Sequence, residues 1–325
     1  MQYRPLGRTG LSVSVLSFGA SSLGGAFRDV NEAEGIRTVH ETLDHGVNFI
    51  DVSPFYGLTK AETVLGKALH GVARERYYLA TKVGRYGNAS FDFSADRVTR
   101  SVDESLQRLG VDYLDLIQTH DIEFGDLQQV IDETLPALHQ LKQIGKVRHV
   151  GITGLPMKVF TSVIGKTLPG MVESILSYCR YELNDTSLEA ILPAMKERGI
   201  GVISAAPTGM GLLTERGTPD WHPAPAKVRA LCRQAAEHCR KRGFDIVELA
   251  IQFSIAHPDI ATTMIGSASP ENMRRNIEYA SRPLDPEKLR EVQAILAPIH
   301  DHNWPSGRPE NCDPLVGGES LFPSS

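Results

Sequence analysis

The sequence predicts an α/β chain closed as a (β/α)8 TIM barrel, and three observations predict it. Short β-like runs alternate with amphipathic helical stretches through eight repeats. The turn after the first of these runs, Gly19-Ala20-Ser21-Ser22-Leu23-Gly24-Gly25, lacks the G-x-G-x-x-G spacing of an open dinucleotide-binding sheet. No G-x-x-x-x-G-K-[ST] phosphate loop occurs either. Such alternation has two common solutions, and the missing glycine fingerprint leaves the closed barrel.

The elements follow in order. Segment 1–13 alternates, turns at Gly7-Arg8-Thr9-Gly10 and reads as a hairpin. The eight β-like runs are 15–18, 48–51, 78–81, 113–117, 149–152, 172–176, 201–204 and 262–265. Helical patterns fall at 32–43, 61–69, 95–109, 127–141, 185–196 and 225–240. In 95–109 the apolar residues Val98, Val102, Leu106 and Leu109 recur at helical spacing. Gly46, Gly110, Gly145, Gly199 and Gly243 mark helix ends. The chain, 1–325, is expected as one barrel domain, with 299–325 as a C-terminal tail near the barrel mouth.

Composition bounds the function. Hydrophobic residues are 41% and charged residues 22%, so a large core can be buried. With 34 Lys+Arg against 39 Asp+Glu the net charge is -5, which argues against gripping nucleic acid. The longest basic cluster, Arg240, Lys241 and Arg242, complements a helix C-terminus. Residues 1–19 show no signal peptide, and no run of about 18 apolar residues exists to span a membrane. The sequons at Asn88 and Asn184 therefore read as chance. Cys232 and Cys239 stand about 10.5 Å apart along a helix, too far for the roughly 4.4 to 6.8 Å of a disulfide. Free thiols, a cytoplasmic location, a small-molecule substrate and a monomer or weak homo-oligomer are expected.

In a barrel, chemistry sits on the loops at the carboxyl ends of the strands. Asp51 ends the second run, and Tyr56 follows it. Lys82 ends the third and His120 the fourth. Alone, each is weak: a strand-end lysine is more often an ion-pair partner. Together they are coherent. A phenol has a pKa of about 10, and a nearby ammonium lowers it by favouring the phenolate. A carboxylate beyond the lysine holds the ammonium charged. A histidine beside the phenol can hydrogen-bond a substrate oxygen. Tyr56 thus becomes a candidate general acid/base for a carbonyl/alcohol pair. His300-Asp301-His302 with Cys312 fits no common metal spacing, so no metal is expected. Trp304 and the Trp221-His222-Pro223 loop could cap the mouth. Trp304 is either a wall of the substrate pocket or simple packing.

These residues resemble the aldo-keto reductase family. The likeness is collinear from Leu6-Gly7-Arg8-Thr9-Gly10-Leu11 to about Pro286. It is carried by Asn48-Phe49-Ile50-Asp51 with Tyr56-Gly57, by Ala80-Thr81-Lys82 and by Gly145-Lys146-Val147-Arg148. The resemblance implies a catalytic tetrad of Asp51, Tyr56, Lys82 and His120, and hydride transfer with a nicotinamide cofactor. It also implies cofactor contacts at Gly19, Ala20, Thr153, Ser177, Ser204, Ala205, Gly211, Leu212, Gly266, Ser267, Asn272, Arg275 and Asn276. Substrate contacts are implied at Tyr56, His120, Asp121 and Trp304.

The chain departs from the general family at several points. Thr153-Gly154 replace the usual Ser-Asn, Ser177 or Tyr178 a glutamine, and Ala205 an aromatic. The cofactor's adenosine end meets Gly266 and Asn272 where NADP-preferring members carry Lys and Arg. Loss of those charge-assisted contacts points to NAD, with NADP less favoured. Arg274 or Arg275 could turn inward, or both are surface charges. The motifs around His120, Gly151-Ile152-Thr153 and Asn303-Trp304-Pro305 resemble the aldose 1-dehydrogenase branch, the L-galactose dehydrogenases among them. That branch implies oxidation at C1 of an L-galactose, L-fucose or D-arabinose type sugar to its lactone. The alternatives are a pyridoxal dehydrogenase, a general NAD(P)H aldehyde reductase, or a nucleotide-sensing regulatory subunit.

Overall fold

The computed structural model describes residues 1–25 and 30–316. Its first element is the antiparallel hairpin of β1 (Tyr3–Pro5) and β2 (Ser12–Ser14). The turn presses Gly7 against the backbone at 199–201, where an added Cβ would stand 2.3 Å from the Gly201 nitrogen. With φ at 55°, only glycine suits that place.

Eight parallel strands then close into a barrel. They are β3 (Leu16–Gly19), β4 (Phe49–Asp51), β5 (Tyr78–Val83), β6 (Leu114–Thr119), β7 (Val147–Gly154), β8 (Ser174–Tyr178), β9 (Gly201–Ala205) and β10 (Thr262–Ile265). They pair in chain order, and β10 returns to β3. The predicted (β/α)8 TIM barrel is the observed fold.

Alternation along these strands builds two cores. Phe49, Ala80, Leu116, Leu176, Ile203 and Met264 point inward and pack with Leu6, Leu11 and Val13 of the hairpin. The hairpin therefore plugs the amino end of the barrel, and the open mouth is at the carboxyl end. Ile50, Leu79, Ile117, Ile175 and Val202 point outward into the layer beneath the helices. Two residues beyond an inward side chain the chain points inward again. That carries Asp51 from Phe49, Lys82 from Ala80 and Gln118 from Leu116 into the mouth.

The helices are α1 (Glu32–Asp44), α2 (Lys60–Leu69), α3 (Ala95–Leu109), α4 (Leu127–Gln129), α5 (Leu135–Gln143), α6 (Met157–Lys166), α7 (Leu192–Arg198), α8 (Ala226–Lys241), α9 (Ile246–Ala256), α10 (Pro270–Ser281) and α11 (Pro286–Leu296). Two expected helices differ. The 127–141 pattern is broken by a π turn at Val130–Thr134. Pro136 follows it and has no N–H for a regular helical bond. The 185–196 pattern starts as a 3-10 turn at Ser187–Ile191. Asp185 is held out of the helix, accepting from the Ser187 hydroxyl at 2.5 Å and pairing with Arg180 at 3.1 Å. Helices α6, α9, α10 and α11 were not resolved by periodicity. In α9 the buried residues run unbroken from Leu249 to Ser254, so no polar stripe breaks the apolar pattern.

The tail returns over the mouth. The Asp313 carboxylate accepts from the Met157 and Lys158 N–H groups, at 2.7 and 2.9 Å, at the start of α6. The Asn311 amide donates to the carbonyls of Glu123 and Gly125, at 2.9 and 3.0 Å. The remainder of the predicted tail, 317–325, lies outside the described residues. Among the described residues no helix is long and apolar enough to cross a membrane.

Candidate active site

The four predicted catalytic side chains meet at the mouth. Asp51 Oδ1 accepts from Lys82 Nζ, and both side chains are 1% exposed. Asp51 Oδ2 accepts from the Gln118 amide at 2.6 Å. Lys82 Nζ also donates to the Val52 carbonyl at 3.0 Å and to the Tyr56 hydroxyl at 3.2 Å. The His120 ring stands edge-on to Tyr56, centroids 5.7 Å apart and planes at 87°. His120 Nδ1 lies 3.0 Å from Ser53 Oγ, and Nε2 lies 3.5 Å from Asp121 Oδ2.

Burial sets the electrostatics. It pushes the Asp51 carboxyl up, and Lys82 pulls it back. It works against the Lys82 charge, yet Asp51 and Tyr56 carry the ammonium above its ordinary value. Each partner thus favours the charged form of the other against the pull of burial. Tyr56 reverses the expectation from sequence: its pKa is raised, not lowered. Burial is the largest cause, Lys82 opposes it, and the carboxylates of Asp51 and Asp121 add to the rise. His120 is pulled down to about 3, by burial first and then by Lys82 and Arg85 against the pull of Asp121. Its imidazole is neutral at physiological pH.

A second ring of residues surrounds this cluster. Asp121 sits at φ 47°, directly after His120. Its carboxylate pairs with Arg85, and Thr153 Oγ1 donates to its Oδ1 at 3.3 Å. Thr153 Oγ1 in turn accepts from the Asp121 N–H at 2.9 Å. The Arg85 guanidinium lies over Phe55 at 3.9 Å, with Phe124 at 5.2 Å and Phe91 at 5.4 Å. Glu123 is fully buried, and its Oε1 accepts from Ser306 Oγ at 2.9 Å, the Leu155 N–H at 3.2 Å and the Tyr178 hydroxyl at 3.4 Å. Burial, then Asp121, pushes its carboxyl up to about 8. Sequence reasoning assigned no role to Ser53, Arg85, Gln118 or Glu123. The available signal was the two-residue step: Ser53 follows Asp51 by two, and Gln118 precedes His120 by two.

The predicted cofactor positions divide. Gly19 and Gly266 lie back to back: a Cβ on Gly266 would stand 2.1 Å from the Gly19 carbonyl oxygen. Ser22 Oγ, 3.6 Å from that same point, is buried without a hydrogen-bond partner among the described residues. Ala20 opens the 3-10 turn beside them, and Ala205 ends β9 on the inward face with no bulk beyond its methyl. Gly211 packs on the Gly217 carbonyl, and Leu212 is buried. Ser267 Oγ accepts from the Ser269 N–H at 3.1 Å ahead of α10. On α10 Asn276 is buried, and Asn272 accepts from Arg275 at 3.1 Å. Arg274 pairs with Glu41 of α1 at 2.9 Å, so both arginines are engaged along the helix surface.

Ser177 and Ser204 do not face the mouth. They oppose each other in register, one step beyond the inward residues Leu176 and Ile203. Alternation turns both hydroxyls outward, beneath the helices, and leaves only their backbone for a ligand. Tyr178 takes the inward place instead. Trp304 is 7% exposed and packs edge-on against His222, centroids 5.4 Å apart. Its described contacts are packing. A cavity of about 300 Å³ lies away from the tetrad, between segment 212–218 and α8, and shares only Leu212 with the predicted cofactor positions.

Residues 15–297 match the Aldo/keto reductase family. The chain is 48% identical to L-galactose dehydrogenase of Arabidopsis thaliana over 317 residues, covering 96% of this chain and 99% of that protein. It is 32% identical to D-arabinose 1-dehydrogenase of Saccharomyces cerevisiae, covering 75% of this chain and 76% of that one. Among solved structures it is similar to the holo form of an aldo-keto reductase from Bacillus halodurans. The TM-score there is 0.76 at 30% identity, covering 91% of this chain and 96% of the other.

Proposed function

The chain belongs to the aldo/keto reductase family of nicotinamide-dependent oxidoreductases, and from that premise we propose that it is an NAD-dependent aldose 1-dehydrogenase. Its substrate is an aldose of the L-galactose, L-fucose or D-arabinose type, oxidised at C1 to the lactone. The observation that carries this reading is the near-full-length similarity to L-galactose dehydrogenase. The buried cluster of Asp51, Tyr56, Lys82 and His120 supports the chemistry.

The nicotinamide, when bound, supplies the hydride acceptor. Gly19, Ala205, Gly211, Leu212 and Gly266 would hold the dinucleotide along its length, and the Ser22 hydroxyl, without a partner among the described residues, fits a polar ligand beside Gly19 and Gly266. The residues of the chain handle the proton. Tyr56 takes it from the C1 hydroxyl. The Lys82 ammonium, 3.2 Å away, offsets part of the cost of a buried phenolate. Asp51 keeps that ammonium charged. His120, neutral, hydrogen-bonds the C1 oxygen.

The preference for NAD follows from the adenosine end. At Gly266 the local backbone leaves no room for a side chain. Asn272 is neutral, and Arg274 and Arg275 are engaged with Glu41 and Asn272. A 2′-phosphate therefore lacks a charge-assisted clamp.

The test is absorbance of reduced nicotinamide with NAD or NADP against L-galactose, L-fucose, D-arabinose and pyridoxal. Turnover is expected with NAD and at least one sugar. Tyr56→Phe should lower kcat by about 10³-fold or more and leave NAD binding intact. Turnover with pyridoxal alone, or retained turnover in the variant, would overturn the reading.

A further inference from the structure

We infer that Ser53 is a positioning residue that holds His120 as the tautomer protonated on Nε2, so that the imidazole presents an N–H to the reacting oxygen. The inference rests on the function proposed above only in naming that oxygen as the sugar's C1 oxygen.

Ser53 is fully buried, two residues past Asp51. Its Oγ accepts from the Phe55 N–H at 3.1 Å and lies 3.0 Å from His120 Nδ1. A hydroxyl has one proton to give and two lone pairs. A neutral imidazole leaves two arrangements of that contact: the hydroxyl donates to a bare Nδ1, or Nδ1–H donates to the hydroxyl.

Both ends of the contact select the first arrangement. In the second, Oγ would accept from Phe55 and from His120 together, and its own proton would have no acceptor among the described residues. A buried O–H left unpaired is costly. At the far side of the ring, Nε2 is 3.5 Å from Asp121 Oδ2. Arg85 and Thr153 hold that carboxylate in place. It attracts an Nε2–H and repels an Nε2 lone pair. Phe55 and Tyr56 flank the ring in T-shaped contact, with centroids 5.8 and 5.7 Å from the imidazole.

The consequence is directional. A bare Nε2 would compete with Tyr56 for the proton of the C1 hydroxyl. An Nε2–H cannot accept that proton, and instead donates to the oxygen as negative charge develops on it. Ser53 thus divides the labour: Tyr56 accepts, His120 donates.

The test is a two-bond proton–nitrogen correlation spectrum of the full chain labelled with ¹⁵N-histidine, with His120 assigned by comparison with His120→Gln. The wild type is expected to show the Nε2-protonated pattern for His120 throughout the neutral and mildly alkaline range. Ser53→Ala should shift His120 toward a tautomer mixture and lower kcat about 10-fold, with the KM for NAD unchanged. Ser53→Thr keeps the hydroxyl and should restore both readouts. A wild type protonated on Nδ1, or a Ser53→Ala protein with the pure Nε2 pattern, would overturn the inference. The spectrum needs no turnover, so failure to oxidise any sugar would count against the proposed function alone.

Discussion

Replacing Lys82 with methionine removes the charge beside Tyr56 and keeps most of the side-chain volume. Unit charges 3.2 Å apart attract by about 5 kcal/mol at an effective dielectric of about 20. Asp51 touches the same ammonium, so the pair acts partly as a dipole and the net loss is nearer about 3 kcal/mol. At about 1.36 kcal/mol per decade, kcat at neutral pH should fall about 100-fold. The sign of the pH effect follows from the same contacts. Burial already raises the Tyr56 pKa, and Lys82 is the main influence that lowers it. Without Lys82 the phenol rises further, and the alkaline activity limb moves to higher pH. Stability changes too. Removing one partner of a buried pair costs about 3 to 5 kcal/mol. Asp51→Asn combined with Lys82→Met should recover part of that loss in thermal unfolding and none of the activity. The assay is the initial rate of nicotinamide reduction across pH, with unfolding measured in parallel. A pH limb that stays in place, with activity falling only as stability falls, would refute the electrostatic role.

Three further outcomes follow from neighbouring contacts. Glu123 is buried with its carboxyl raised to about 8, so the folded state holds a proton that the unfolded chain releases at ordinary carboxylate pH. Its contribution to stability is complete below about pH 4 and is lost as pH rises toward about 8. Glu123→Gln should flatten the fall in Tm between about pH 5 and pH 8.5 by roughly 6 °C, and an unchanged slope would assign the dependence elsewhere. Gly307 sits at φ 84°, where a Cβ would meet the Glu123 carbonyl oxygen at 2.3 Å. Gly307→Ala should cost about 1 to 3 kcal/mol and expose the tail to protease, and a tail equally resistant to cleavage would contradict that contact. Asn272→Arg should raise kcat/KM for NADP relative to NAD about 10-fold, and an unmoved ratio would place the 2′-phosphate away from α10.

The barrel was legible because its repeats are regular, and the tetrad because four compatible groups fall at or just beyond strand ends. What stayed hidden depends on facing and depth. In Ile175-Leu176 and Val202-Ile203 both faces are apolar, because a parallel barrel strand is buried on both sides. Nothing in those pairs tells which residue points inward, so Ser177 and Ser204 read equally well as ligand contacts or as buried hydroxyls. Only the hairpin residues packed with Leu176 and Ile203 decide it. Depth misled in the same way at Tyr56. The spacing revealed the ammonium but not the desolvation that outweighs it. Glu123 and Ser306 are joined across 183 residues, beyond the reach of any local pattern. The mouth therefore combines a readable set of ionisable groups with an unreadable setting. Ser53 and Asp121 contact His120 there, and Gln118 donates to Asp51. Substitutions that keep the tetrad and change only these neighbours separate the two contributions. They should alter pH profiles and tautomers before they alter the fold.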